Sequence, residues 1–214
     1  MKRLGLAATL IVGTIFVMIA YAIDQQTSAE NNRDDLATRS QSPTVEESTP
    51  PTSETVLFMS SWAETYRDLG TLKQATDLAV LGTVQGVDGV DSDTRAAGAV
   101  TATLTFTDFN FRIEQTLHGE GREEMVIVHQ TGGTSGGVTT EIKDDPLLQI
   151  GERYILFVTQ APSGKYFVAG GPTGRFVVRG DRVSSLSLIY PGRGINDMRV
   201  NNEPLADFIR RTQG

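Results

Sequence analysis

The stretch ATLTFTDFNFRIEQTL (Ala102–Leu117) alternates apolar and polar side chains along nearly its whole length. A period of two is typical of a β-strand with one buried face. Its apolar residues fall on both parities, with Phe109, Phe111 and Ile113 at odd positions and Leu104 and Phe106 at even ones. We therefore expect a β-bulge near Asp108 that turns both apolar sets toward one core.

Short apolar runs surround this strand. LAVLGTV (Leu78–Val84) precedes it, and turn residues separate the runs that follow, which are MVIVHQ, RYILFVTQ, YFVAG, RFVVRG and DRVSSLSLI. The intervening GVDGVDSDTRAAGA (86–99) is rich in Gly and Asp and predicts a mobile loop. Six or seven strands with little helix between them indicate a mostly β fold, a small and mainly antiparallel barrel or sandwich.

The last segment, NNEPLADFIRRTQ, predicts a C-terminal helix. Asn202 is suited to the N-cap position, with Pro204 in the first turn. Leu205, Phe208 and Ile209 have the spacing of a buried helical stripe. We expect residues 55–214 to form one β-rich domain that this helix completes.

The N-terminus predicts a membrane segment. Met1-Lys2-Arg3 is followed by the uncharged, mainly apolar run Leu4–Ile23, which is long enough as a helix to cross a bilayer. Positive charges before it predict a cytoplasmic N-terminus and an extracytoplasmic domain. Residues 1–23 are thus expected to be a single-pass anchor or an uncleaved signal sequence. Cleavage after Ala22 is the alternative, and it would give a secreted protein.

Residues 24–54 differ in composition from both neighbours. They are rich in Ser, Thr, Pro and acidic residues and poor in aliphatic side chains. Such a segment buries too little apolar surface to offset the entropy of ordering. We expect a disordered linker between the anchor and the domain.

Composition excludes several kinds of site. The chain has no cysteine, so disulfides, thiolate metal sites and cysteine nucleophiles are excluded. Its two histidines, His118 and His129, lack ligand spacing, and Asp91 does not begin an EF-hand pattern. The net charge of −7 argues against nucleic-acid binding. We expect no metal and no cofactor.

The glycine-rich stretch Gly132, Gly133, Thr134, Ser135, Gly136 and Gly137 fits three interpretations. A phosphate loop would need a lysine and a helix start after it, and neither follows. A serine nucleophile at Ser135 would need a base. No histidine lies downstream, so Lys143 or Lys165 is the remaining candidate. We expect a mobile connecting loop that contacts a partner.

Charge is uneven along the domain, acidic up to Gly174 and basic after it. Several arginines lie in the basic part. Arg175, Arg179 and Arg182 are the candidate members of a surface patch for an anionic lipid or envelope polymer.

Three blocks carry a resemblance to known proteins: LAVLGTV, FRIEQTLHGE (Phe111–Glu120) and LLQIGERYILFV (Leu147–Val158). Their order resembles the barrel of netrin-like modules and tissue inhibitors of metalloproteases, a pattern shared by exported bacterial proteins. The resemblance implies an OB-fold. It does not imply protease inhibition, because those inhibitors chelate the protease metal through an N-terminal cysteine that this chain lacks.

The sequence therefore favours a membrane-tethered, extracytoplasmic binding module without enzymatic activity. Its partners are expected to be the membrane, through Leu4–Ile23, and a protein or an envelope polymer. Two alternatives stay open: a serine hydrolase that uses Ser135, and a structural component of the cell envelope.

Overall fold

A computed structural model describes residues 19–21, 54–59, 66, 68–97, 100–121, 123–186 and 200–214. The predicted linker lies outside this set except for Glu54. Of the predicted membrane segment Leu4–Ile23, only Ile19–Tyr21 is described, and these residues form a short strand. Within the described ranges, no helix has the length and apolarity to span a bilayer.

The described chain is mostly β. Its strands are β1 (Ile19–Tyr21), β2 (Glu54–Met59), β3 (Leu78–Ala97), β4 (Val100–His118), β5 (Met125–Thr131), β6 (Gly133–Ser135), β7 (Val138–Ile142), β8 (Arg153–Gln160), β9 (Tyr166–Val168), β10 (Arg175–Arg179), β11 (Arg182–Ser185) and β12 (Glu203–Pro204). The helices are α1 (Leu69–Gln74), a 3₁₀ turn (Gly171–Gly174) and a C-terminal α2 (Leu205–Gln213). The expected β class and C-terminal helix are confirmed.

Five of these strands pair in a closed ring. β3 pairs with β4, β4 with β5, β5 with β9, β9 with β8, and β8 with β3. All contacts are antiparallel except β5 with β9, which is parallel and registers Val128 against Tyr166. β10, β11 and β12 extend the sheet outward from β8, and β1, β2, β7 and β6 form a separate sheet.

Two apolar cores lie on either side of the shared strands. The first fills the ring and includes Phe109, Phe111 and Val128. The second lies outside the ring, where α1 and α2 cover β8, β10 and β11. Because β8 is buried on both faces from Tyr154 to Val158, its run YILFV does not alternate with polar residues.

The two parities of β4 serve different clusters. Phe109 and Phe111 enter the ring core, whereas Leu104 packs with Ile142 of β7 and the partly buried Phe106. The expected bulge that would turn both sets toward one core is therefore wrong. A bulge does lie opposite Asp108, but in β3, where Asp88 is the extra residue.

The Gly- and Asp-rich segment after Leu78–Val84 is strand rather than loop. β3 continues to Ala97 and pairs with β4 back to Val100, which makes a long two-stranded ribbon. The prediction of a mobile loop was wrong because β4 supplies a paired partner along the whole ribbon. Bulges at Gln85 and Asp88 take up the mismatch in register.

The start of α2 also differs from its prediction. Asn202 adopts a positive φ of 54° in the turn before β12, and Pro204 is the residue that precedes the helix. Pairing of β12 with β11 delays the helix by two residues. The predicted stripe is confirmed, with Phe208 fully buried and Leu205 and Ile209 packed against the second core.

Candidate functional site

The outer face of the ring carries a group of polar and aromatic side chains. Asp108 of β4 lies directly opposite His129 of β5 in the ladder. β9 joins β5 with Tyr166 against Val128, both of which point into the ring core. Since side chains alternate along a strand, residues 165 and 167 lie on the same outer face as His129.

A buried carboxylate is the centre of this group. Asp108 has a side chain only 7% exposed, and its Oδ1 lies 2.5 Å from Nδ1 of His129. Its other oxygen, Oδ2, accepts a hydrogen bond of 2.6 Å from the Nζ of Lys165. The exposed carboxylate of Asp91 lies 3.9 Å from the same Nζ. Both oxygens of Asp108 are therefore paired.

The hydrogen bonds set the ionisation of Asp108. Burial by itself would raise the pKa of its carboxyl, but the bonds from Lys165 and His129 outweigh burial and hold the pKa below its ordinary value. The Lys165 ammonium has a raised pKa, chiefly through its hydrogen bond to Asp108. Asp108 is thus an anion at neutral pH, and an ionised carboxylate only accepts hydrogen bonds. The Nδ1 of His129 is therefore the donor in its contact with Asp108.

Two phenylalanines hold the imidazole ring. The Phe106 ring stacks on His129 at 4.8 Å between centroids with an interplanar angle of 17°. The Phe167 ring meets His129 edge-on at 5.0 Å and is 42% exposed. We call Phe106, Asp108, His129, Lys165 and Phe167 the outer-face cluster. It presents one aromatic ring and one ammonium to solvent on a rigid base.

A second concave surface lies at the end of the ring. A cleft of about 860 Å³ runs between the β3–β4 ribbon, the β6–β7 hairpin and residues 143–150. Its lining includes the exposed apolar side chains of Val87, Val90 and Ile150. We call it the hairpin cleft.

The predicted glycine-rich loop forms one wall of this cleft. Gly133–Ser135 is β6, and Gly136 and Gly137 make the turn into β7 with φ of 59° and 82°. Positive φ at both turn residues is what a type I′ hairpin requires. The expected irregular connection is therefore an ordered hairpin, because β7 pairs with β6 on one side and with β2 on the other.

The hairpin is tied closely to the ring. The Thr107 hydroxyl donates to the Gly132 carbonyl at 2.7 Å, and the Gly132 N–H donates to the Thr105 carbonyl at 2.7 Å. Gly132, Gly133 and Thr134 line the hairpin cleft. Within the described part of the chain, no hydrogen bond joins Ser135 to His118 or His129. Partner contact at this hairpin stays a prediction.

The predicted basic patch loses one member. Arg175 is 2% exposed, and its guanidinium donates to Asp145 at 2.7 Å and to the Pro146 carbonyl at 2.6 Å. A buried, paired arginine presents no charge to a surface, so its assignment to the patch was wrong. Arg179 and Arg182 are exposed and lie opposite each other on β10 and β11.

No protein-family model matches the chain, and no curated protein matches its sequence. Its function must therefore follow from the geometry of the site. The sequence did not predict Asp108 or Phe167 as site residues, and it offered Lys165 only as a base for Ser135. Strand alternation could have predicted that His129 and Asp108 lie on outward faces of their strands. It could not have predicted that the two residues meet, because β4 and β5 pair over a long separation along the chain. Among the described residues, no group of three or more His, Asp or Glu is placed to hold a metal ion.

Proposed function

We propose that this protein is a membrane-tethered, extracytoplasmic binding module without enzymatic activity, whose ligand surface is the outer-face cluster. The domain would be an OB-like barrel held away from the membrane by residues 24–54. The observation that carries the proposal is the exposed ring of Phe167 beside the buried Asp108 and its partners His129 and Lys165.

The order of the ring strands supports an OB-like assignment. Around the ring the five strands follow the order β3-β4-β5-β9-β8. The parallel contact joins β5 and β9, which are the third and fifth ring strands along the chain. OB-folds bind ligands on the face of strands two and three and on the loops after strands one and four. The corresponding places here are the outer face of β4 and β5, the β3–β4 ribbon and residues 161–165. Lys165 ends that last loop, so the outer-face cluster lies where such folds bind ligands.

The hydrogen bonds within the cluster support its role as a fixed base for a binding surface. Both oxygens of Asp108 are paired with cations or donors, which fixes their position and their charge. Ser135 belongs to the β6–β7 hairpin, and among the described residues no hydrogen bond joins it to His129. The serine-hydrolase alternative therefore rests on the GTSGG motif alone, and labelling of Ser135 by a fluorophosphonate probe would support it.

Retention on fractionated envelope material tests the proposal. The full-length chain, purified in detergent, is incubated with envelope polysaccharide and with envelope protein, since its predicted anchor would hold every variant equally in membrane vesicles. We expect one fraction to retain the wild type and to lose Phe167→Ala and Lys165→Ala. Ile150→Ala is the matched control, since Ile150 is also apolar and exposed but lines the hairpin cleft. Loss of retention only in Ile150→Ala would move the site to that cleft. Equal retention of all variants would contradict the proposal.

A further inference from the structure

We infer that the outer-face cluster binds a neutral oligosaccharide, with a sugar ring stacked on Phe167 and its hydroxyls bonded to the polar groups around it. This inference rests on the proposed function and names the class of ligand. It follows from the charge, the exposed aromatic surface and the hydrogen-bonding groups of the same few side chains.

Charge disfavours an anionic ligand at this face. The ammonium of Lys165 is the cation of the cluster, and it is surrounded by the carboxylates of Asp108, Asp91 and Asp88, each of which raises its pKa. Asp91 is 74% exposed, so its negative charge faces any ligand that approaches Lys165. A phosphate or carboxylate group would meet more negative than positive charge here.

The aromatic surface suits the face of a sugar ring. Phe167 is 42% exposed, and the edge contact with His129 and the stack of His129 on Phe106 hold it in place. A pyranose ring has one face of C–H groups and a rim of hydroxyls. Stacking that face on a fixed aromatic ring buries apolar area with little loss of side-chain entropy.

The polar groups around Phe167 match the hydroxyl rim. An ammonium has three donors, and Lys165 uses one of them on Asp108. Asp91 supplies exposed acceptor oxygens beside that ammonium. A sugar hydroxyl both donates and accepts hydrogen bonds, so a donor and an acceptor side by side can satisfy it. A purely cationic ligand would leave the Lys165 donors unmatched.

The test measures binding of defined probes to the full-length chain. The detergent must lack a sugar head group, which would compete for the site. The probes are cellohexaose and N-acetylchitohexaose as neutral oligosaccharides, heparin as a polyanion and hexalysine as a basic peptide, each titrated by isothermal calorimetry. We expect a neutral hexasaccharide to bind. Phe167→Ala should weaken it by about tenfold or more, since loss of an exposed aromatic anchor typically has an effect of that size.

The variants separate the possible outcomes. Phe167→Trp should keep the affinity within about threefold, because it retains an aromatic face. Ile150→Ala should leave it unchanged, and thermal unfolding of each variant checks that the fold persists. In another outcome, heparin or hexalysine is the probe whose binding depends on Phe167, and neither neutral probe binds. That result would overturn the oligosaccharide inference and leave the proposed function standing. If no probe binds in a way that depends on Phe167, the oligosaccharide inference fails, and the envelope retention experiment decides the proposed function separately.

Discussion

At the scale of single residues, two buried aspartates show how partners decide ionisation. Burial raises the pKa of the Asp145 carboxyl, although Arg175 and Gln130 act against it. At Asp108, burial acts in the same direction, but Lys165 and His129 overcome it and lower the pKa. The difference lies in the strength of the hydrogen bonds relative to burial. Each lysine or histidine donor favours the charged form, whereas a low-dielectric surrounding favours the neutral one.

Asp108→Asn should destabilise the fold. We expect a loss of about 1–3 kcal/mol at pH 7, because His129 and Lys165 lose their charged acceptor. The pKa of Asp108 is lower in the folded than in the unfolded state. Its contribution is therefore complete above the unfolded value, near 4, and is lost as the pH falls through the folded value. Urea unfolding at pH 7 and pH 2.5 should show the difference between wild type and variant shrinking at low pH.

The matched control for that experiment is Asp91→Asn. Asp91 is on the same face, but it is 74% exposed and lies 3.9 Å from Lys165. An exposed pair at this distance contributes about 0–1 kcal/mol. A pH-independent cost of Asp108→Asn, or an equal cost for both variants, would contradict the account of the cluster given above.

At the scale of elements, the β3–β4 ribbon explains how a polar segment becomes a strand. Residues 85–97 have the Gly and Asp content of a loop, yet β4 pairs with them throughout. Asp91 and Asp93 on this ribbon also discourage other chains from pairing with its edge, because charged side chains make an exposed edge a poor template. The ribbon forms because its partner has strong strand alternation, not because of its own composition.

The β6–β7 hairpin makes a prediction about two of its glycines. Gly136 has φ of 59° and open space where a Cβ would lie, whereas Gly133 has φ of 134° and its Cβ would lie 2.4 Å from the Thr107 Oγ1. We expect Gly136→Ala to cost about 1–2 kcal/mol through backbone strain alone. Gly136→Asn should cost less, because Asn tolerates this conformation. Gly133→Ala should cost more than either, since the hairpin must move off the ring.

Denaturant unfolding midpoints of the three variants check this order. The wild type and Gly136→Asn should be close, and Gly133→Ala should have the lowest midpoint. If Gly133→Ala were as stable as Gly136→Ala, the hairpin would not be packed on Thr105 and Thr107 in the way described.

At the scale of the whole molecule, two cores share one set of strands. β8 contributes Leu156 to the ring core and Phe157 to the second core. α2 closes the second core with Phe208, whose ring lies 4.8 Å from that of Phe176. Because the strands are common to both cores, unfolding of either core removes packing from the other, and we expect one cooperative transition.

The predicted anchor makes a prediction about the intact protein. We expect the full-length mass in the membrane fraction of a fractionated expression host, since Leu4–Ile23 is long enough to span a bilayer. Intact mass spectrometry of each fraction checks this. A mass that begins at Ile23, found in the soluble exported fraction, would instead indicate cleavage after Ala22, and the protein would act as a diffusible binder.

Local patterns along the chain were enough to predict the β class, the positions of most strands and the buried stripe of α2. These features follow from the local spacing of apolar residues, which can be read within a short window without knowledge of the rest of the chain. The course of β3 beyond Val84 and the ordered β6–β7 hairpin could not be read in this way, because each depends on a partner strand.

Only the tertiary structure decided where the candidate site lies. His129 is 21 residues from Asp108, and Lys165 is 57 residues from it. No local pattern links positions so far apart. They meet because the ring closes through β5 and β9 with one particular register, and a shift of one residue would turn His129 and Phe167 into the core. Arg175, which the sequence alone had predicted to be on the surface, is buried against Asp145 and Pro146.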